Sequence, residues 1–419
     1  MIDKVKKYID REIGLPPEAF ILVALSGGAD STALLLILKE LGYKVHALHC
    51  NFHLRGEESN RDQVFVEELC KQNDVPLSVR HFQTEEEAKR RGISLEMAAR
   101  DLRYDWFREE MKNLKASCIA VAHHRDDQAE TLLLNLLRGT GLRGMAGMQP
   151  QHDGIIRPLL CLSREEILDY LQERGQSFVT DSTNSERIAQ RNKVRLDVIP
   201  LLREINPAVV EHLHLASESV RQSLPYYNKG IEATFVEMGI TETCFPLSAL
   251  SSQTLLHEWL LDKGFNRAQE EEMLCASNSQ VGKVWHSNNH SVLRDRNSLI
   301  LSPLSKQAEV PQIKQEIVSC IGEMGPDIAY FDADLITNQI EVRPVQEGDA
   351  FVPFGMKGRK LVSDFLTDRK LNRFEKAEQF VAICGDEIIW LIGHRSDNRF
   401  RVTDATRRIL KLSVVKSQT

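Results

Sequence analysis

Short apolar runs and longer amphipathic stretches alternate through the first half of the chain. FILVAL (20–25) has the length of a buried strand, and STALLLILKEL (31–41) follows with helical spacing. The alternation continues with a strand at YKVHALH (43–49), a helix near 61–73 and a strand at LSVRHF (77–82). A long helix at 94–114, a strand at SCIAVA (117–122) and a helix at DQAETLLLNLLRG (127–139) complete it. This order predicts an α/β fold, a doubly wound parallel sheet. SREEILDYLQERG (163–175) predicts a further helix, with Ser163 and Glu166 as a capping box and Gly175 just past its end. From residue 207 the strand signal fades and 208–275 read as helices. Beyond about residue 304 turns dominate, and QFVAICGDEIIWLIG (379–393) predicts a hairpin turning at Gly385-Asp386. The expected division is 1–210, an α/β domain; 211–305, a helical middle domain; and 310–419, a small α+β domain.

Charge changes this picture only in its distribution. The net charge of −7 argues against a nucleic-acid partner. Yet residues 341–419 carry 15 Lys and Arg against 11 Asp and Glu, after an acidic segment, 204–340, with 9 against 18. That asymmetry suits an interaction tail or plain solvated surface. No apolar run reaches the ~20 residues that span a bilayer. The eight cysteines contain no C-x-x-C pair, and the charged N-terminus lacks an apolar signal core, which together point to the cytoplasm.

The candidate chemistry begins at SGGADS (26–31), between a predicted strand and a predicted helix. Gly27 and Gly28 allow a tight turn and close backbone approach to a ligand. The helix N-terminus, with Ala29, offers unpaired N–H groups, and Ser26 and Ser31 add hydroxyls, a ready phosphate site. Asp30 is a candidate catalytic carboxylate, or simply the N-cap of the helix. The stretch is neither a Walker A loop nor a dinucleotide fingerprint.

HHRDDQAET (123–131) leaves another predicted strand end. Asp127 and Glu130 stand three apart and share a helix face, with Leu132, Leu133, Leu136 and Leu137 on its buried side. Such a pair can hold Mg²⁺, bind an ammonium or take a proton, or it is a solvated acidic first turn. His123 or His124 can touch phosphate, with Asp126 a further candidate. Arg100 and Arg103 share a face of the 94–114 helix beside an apolar stripe of Leu95, Ala99, Leu102 and Trp106. They serve phosphate or pair with Asp101 or Glu96. Residues 185–203 hold five basic and two acidic side chains, including Arg187, Arg191, Lys193, Arg195 and Arg203. Residues 357–373 hold six and two, including Lys357, Arg359, Lys360, Arg369 and Lys370. Each is a solvated face or a backbone contact for RNA.

SGGADS resembles the pyrophosphate loop of the N-type ATP pyrophosphatases, the PP-loop superfamily. HCNFHLRGEES (49–59), HHRDDQAETLLLNLLRGTG (123–141), DSTNSERIAQRNKVRLDVIPLLREINP (181–207) and RPVQEGDAFVPFGMKGRKLVSDFLTDRKL (343–371), with GHRSDNRFRVT (393–403), together resemble the tRNA(Ile)-lysidine synthetase family over nearly the whole chain. The resemblance implies ATP and Mg²⁺ as cofactors, and free L-lysine and tRNA(Ile) with a CAU anticodon as partners. It implies no membrane and leaves a homodimer open. The implied reaction adenylates the first anticodon cytidine and joins lysine to its C2, giving lysidine, AMP and pyrophosphate and changing the codon read from AUG to AUA. It implies the Asp127–Glu130 pair and Arg191 as active-site residues, beside Asp30 and His123 as catalytic candidates; the motif order suggests Asp127 for the metal and Glu130 for the lysine. It further implies Arg100, Arg103, Asn192, Arg195 and the 357–370 cations as tRNA or phosphate contacts. Two alternatives remain at this point: a tRNA thiolation enzyme with the same loop, and a nucleotide-sensing RNA-binding protein without turnover.

Overall fold

The computed structural model describes residues 1–180, 190–276, 279–304 and 309–415. Two compact units divide the chain, Met1–Tyr227 and Asn228–Thr419. No described helix is long and apolar enough to cross a membrane.

The first unit is built on a six-stranded sheet in the order β3-β2-β1-β4-β6-β5. Its strands are β1 (Phe20–Ala24), β2 (Lys44–Asn51), β3 (Leu77–His81), β4 (Cys118–Ala120), β5 (Gln151–His152) and β6 (Ile155–Ile156). All neighbours are parallel except β5 and β6. The doubly wound sheet predicted above is therefore the observed one. Residues of β1 alternate between two cores. Ile21 and Val23 face the cluster completed by α1 (Ile2–Tyr8), α2 (Ala29–Glu40), α3 (Glu57–Gln72) and α8 (Arg164–Glu173). Leu22 faces the cluster of Trp106 and Phe107 from α5 (Leu95–Asn113). Ser163 and Glu166 form the expected capping box of α8, and Gly175 sits past its end at φ +62°.

The chain leaves β1 toward β2 and β3 on one side and returns to β4 on the other, so the sheet reverses its winding between β1 and β4. Ligands of open α/β sheets bind at such a point, beyond the carboxyl ends. Here those ends carry SGGADS and the paired histidines.

Four sequence readings of this unit need correction. Asp30 is not an N-cap: α2 starts at Ala29 with Gly28 as cap, so Asp30 lies inside the first turn. Leu136 and Leu137 are 44% and 76% exposed. The buried part of α6 (Arg125–Leu137) is its first half, where Asp127, Gln128, Ala129, Glu130 and Leu132 point inward. Leu95 at the start of α5 is exposed as well, because the contact with the sheet begins only at Ala98 and Ala99. Helix α4 (Thr84–Arg91, TEEEAKRR) was not expected, because it has no apolar stripe.

Between α6 and β5 lies the short α7 (Leu142–Met145). Helices α9 (Gln190–Lys193) and α10 (Ile199–Ile205), joined through a π-helical turn at Val194–Val198, precede α11 (Val209–Met238). In the second unit, α helices Gln253–Leu260 and Arg267–Leu274 agree with the helical reading of 208–275. A four-stranded antiparallel sheet, Cys244–Pro246, Val284–His286, His290–Arg294 and Ser298–Pro303, corrects it, because Cys244–Pro246 is a strand inside that stretch, held by pairing with Ser298–Ile300. Trp259, Phe245, Trp285 and Leu299 share that core. The remainder, from Ile313 on, is antiparallel sheet with two short helices. It includes the expected hairpin Phe380–Cys384 and Glu387–Leu391, turning through Gly385 at φ +60°.

Candidate active site

SGGADS is a self-bonded turn. Ser31 Oγ accepts from Ser26 N at 3.2 Å and donates to Gly28 O at 3.1 Å, and Gly28 N donates to Ser26 Oγ at 3.3 Å. Val179 N donates to Gly27 O at 2.9 Å and buttresses the loop from outside. The first turn of α2 then presents its N–H groups and positive dipole end to the carboxyl edge of the sheet.

Four carboxylates meet there. Asp127 and Glu130 do point to one side of α6, and both are buried. Two guanidiniums from the α9 segment close on them. Arg191 donates from Nε to Glu130 Oε2 at 2.7 Å and from Nη2 to Asp127 Oδ1 at 3.0 Å. Arg195 donates from Nε to Glu130 Oε1 at 2.5 Å and from Nη2 to Asp127 Oδ1 at 3.1 Å. Asp127 Oδ2 also accepts from His124 N at 3.0 Å. Burial opposes ionisation of Asp127, but the cations of His124 and Arg191 outweigh it and hold its pKa below the ordinary value. Asp30 is different. Arg164 pairs with its Oδ2, while Oδ1 is buried with no partner, and burial raises its pKa. Asp126 Oδ2 accepts from Arg164 N at 2.9 Å and Oδ1 from Arg203 at 3.2 Å, so it ties α6 to α8 and α10.

The adjacent histidines separate in charge. His124 lies 3.3, 3.6 and 3.8 Å from Asp127, Asp126 and Asp30. Burial disfavours its charge, but these three carboxylates prevail and raise its pKa. His123 is neutral: burial pushes its pKa down to about 4, and its Nδ1 has no partner. A group with a raised folded pKa stabilises most below about pH 6.5 and loses that contribution as pH rises through the folded value. In nucleotide-free protein, the melting temperature of wild type should therefore exceed that of His124→Asn by more at pH 6 than at pH 9. A gap that is constant across this range, measured by thermal denaturation, would show that His124 is not held as a cation.

Two cavities flank the loop. The first, about 570 Å³, is lined by Asp30, His124, Asp126, Glu130, Arg164 and Arg195, with Phe178, Ile199 and Pro200 among its apolar wall. The second, about 320 Å³, is lined by Ser26, Gly28, Cys50, Arg103, Tyr104 and His123, among others. Gly28 borders both, whereas Gly27 is buried behind the turn. Arg100 and Arg103 pair with neither Asp101 nor Glu96. Their guanidiniums lie over the Tyr104 and Phe52 rings at 5.0 and 5.2 Å. Asn192 is half-buried on α9. Lys357, Arg359, Arg369 and Lys370 are exposed in the second unit, and Lys360 pairs with Asp368. Part of the 181–207 motif, with Arg187, lies outside the described residues.

Arg164 escaped sequence reasoning. Its one signal is a cation at the first position of a helix, against the dipole; Asp30 explains it. Among the described residues no three His, Cys, Asp or Glu side chains converge as a metal site. A hard oxygen ligand is nonetheless on offer at Asp30 Oδ1. Mg²⁺ needs only one or two carboxylates when substrate phosphates complete its shell.

The chain is similar to known proteins along nearly its whole length. A PP-loop domain family matches residues 2–202, and a TilS substrate binding domain family matches 243–304. A tRNA(Ile)-lysidine synthase of Bacteroides thetaiotaomicron is 44% identical, over 98% of this chain and 99% of its own. One from Parabacteroides distasonis is 40% identical over the same shares, and one from Caldanaerobacter subterraneus is 31% identical over 99% and 98%.

Proposed function

Because the chain belongs to the tRNA(Ile)-lysidine synthase family, we propose that it ligates free L-lysine to C2 of the first anticodon cytidine of tRNA(Ile) with a CAU anticodon, through an adenylated cytidine. The observation that carries this reading is the convergence of SGGADS with Asp127, Glu130, Arg191 and Arg195 at the reversal point of the sheet. The N–H groups of α2 and the Ser26 and Ser31 hydroxyls receive the polyphosphate of ATP. Asp30, through its unpartnered Oδ1, would hold a Mg²⁺ accompanying the nucleotide. Asp127 is the poorer ligand, because both its oxygens are already engaged. When bound, the ion neutralises charge on the pyrophosphate that leaves.

Lysine attacks only as a neutral amine, and its free pKa is ~10.4, so the site must take a proton. Glu130 is the group for this. As substrate phosphates draw Arg191 and Arg195 toward themselves, the carboxylate turns to the incoming ammonium. Asn192 lies beside the same nucleotide, and His123, neutral, lines the neighbouring cavity. The exposed cations of 357–370 dock the tRNA backbone, and the reaction belongs to the cytoplasm, where tRNA, ATP and free lysine meet. We assign 1–210 to catalysis, 211–305 to a middle domain and 310–419 to tRNA binding.

The thiolation alternative needs a reactive thiolate. Cys50, the cysteine in the second cavity, is pushed up to about 12 by burial, against the pull of Arg103. Cys118 and Cys161 are pushed up to about 12 as well, so none is a ready nucleophile. The test is purified protein with ATP, radiolabelled lysine and isoleucine tRNA transcript. Lysine incorporation with AMP release is expected. ATP binding without incorporation would favour a nucleotide-sensing RNA-binding protein. In the same assay, Lys357→Glu with Arg359→Glu should weaken tRNA binding and spare ATP binding; equal tRNA affinity would remove the docking role.

A further inference from the structure

The two cavities differ in how their cations are balanced. Every arginine lining the first has a carboxylate partner: Arg55 with Asp62, Arg164 with Asp30, Arg195 with Glu130 and Arg203 with Asp126. On the side of the second, Arg100 and Arg103 have none among the described residues; aromatic rings support them instead. Arg157 joins this unbalanced set. It follows β6 directly, at the same carboxyl edge where His123 follows β4, and the two strands pair in parallel. Its Nη1 donates to Gln149 O at 2.8 Å, its Nε is buried without a partner, and no described carboxylate pairs with it. The Nδ1 of His123 is likewise buried and unpartnered. Burial lowers the pKa of Arg157 and of His123, and neighbouring cations add to it: Arg100 acts on Arg157, and Arg157 on His123.

A half-buried guanidinium without a counter-ion is costly, and so is each unpaired buried donor. A single ligand resolves both costs if it is anionic and rich in acceptors. The fork of Arg157 suits a phosphoryl group; Arg103 lines the second cavity with its guanidinium over Phe52, and Arg100 lies over Tyr104, another residue of that lining, an arrangement that suits nucleotides.

We infer that Arg157 is a phosphate-binding residue of the active site, acting with Arg100 and Arg103 on a phosphoryl group beside the second cavity. The inference rests on the ATP- and tRNA-dependent function proposed above. The group is either the α-phosphate of ATP or a backbone phosphodiester next to the reacting cytidine.

The experiment compares wild type, Arg157→Met and Arg157→Lys in the full chain. It measures ATP affinity, tRNA affinity over a range of salt, and melting temperature. Methionine keeps the stem volume; lysine keeps the charge without the fork. The methionine variant should lose about tenfold or more in one affinity, as loss of a charge-assisted bond does, and the lysine variant should lose less. A tRNA phosphate would show as weaker tRNA binding with a salt slope shallower by about 0.7–0.9. The nucleotide phosphate would show as weaker ATP binding with the tRNA slope unchanged. Both affinities within twofold of wild type, whatever the melting temperature does, would overturn the inference and leave Arg157 as a support for Gln149. If the methionine variant does not fold, Arg157→Gln, which also lacks the charge and the fork, decides on the same criteria. Wild type that binds neither ATP nor tRNA would instead overturn the proposed function.

Discussion

Glu130→Gln should leave adenylated tRNA forming at near the wild-type rate while lysidine formation falls about 10²–10⁴-fold, the range a positioned general base supplies. The side chain is 1% exposed and receives a guanidinium on each oxygen. An amide keeps the shape but loses the negative charge and one acceptor. The proton of the lysine ammonium then has no destination, whereas attack of the cytidine oxygen on ATP does not need one there. Stability should fall as well, by about 1–3 kcal/mol, because two cations lose their shared anion. The lower part of that range is expected, since Arg191 and Arg195 remain 39% and 35% exposed and water screens them. Affinity for tRNA should hold or rise, because the freed guanidiniums remain available to phosphate. Asp127→Asn should behave differently: it loosens the anchor of both arginines and the contact with the His124 amide, so adenylation itself should slow. Single-turnover assays that follow adenylated tRNA and lysidine separately decide the matter. Near-normal rates of both steps in both variants would move the proton acceptor to another group.

The arginine clamp also marks the limit of what the chain discloses. The sheet was legible because FILVAL and SCIAVA are compact apolar runs flanked by helical periodicity, and a doubly wound order then brings their carboxyl ends together. From that alone SGGADS and HHRDDQAET become neighbours. Helix α4 was not legible, because TEEEAKRR has no apolar face to give it a period. The strands of 244–303 were hidden for another reason. They are three to six residues long and interrupted by turns, so the helical segments before and between them dominate the reading. Arg191 and Arg195 looked like any solvated basic face, since their partners lie more than 60 residues back in the chain. Only the fold shows that they face carboxylates. Arg157 was hidden in the same way, inside an apolar run, IIRPLL, that reads as core.

The two loop glycines should separate folding from ligand approach. Gly27 sits at φ +89°, and a Cβ there would meet Phe65 and Val66 at 3.3 Å and Val179 at 3.5 Å. Alanine would have to adopt a left-handed conformation while Phe65 and Val66 give way by a few tenths of an ångström, at a cost of about 1–3 kcal/mol. The turn would also shift the carbonyl that accepts from Val179 N and Thr32 Oγ1. Gly27→Ala should therefore lose stability and ATP binding together. Gly28 has an ordinary φ of −70°, and a Cβ there would find only Ser26 Oγ at 3.5 Å and Val179 O at 3.9 Å. Folding should tolerate Gly28→Ala within about 0.5 kcal/mol. Yet Gly28 borders both cavities at the N-terminus of α2, where phosphate must approach the backbone closely. A methyl group there should cut ATP affinity tenfold or more while leaving the melting temperature unchanged. Thermal denaturation and ATP titration of the two variants read the two effects independently. Wild-type ATP affinity in Gly28→Ala would mean that the polyphosphate does not lie against this turn, and the ATP site would have to be sought deeper in one of the two cavities.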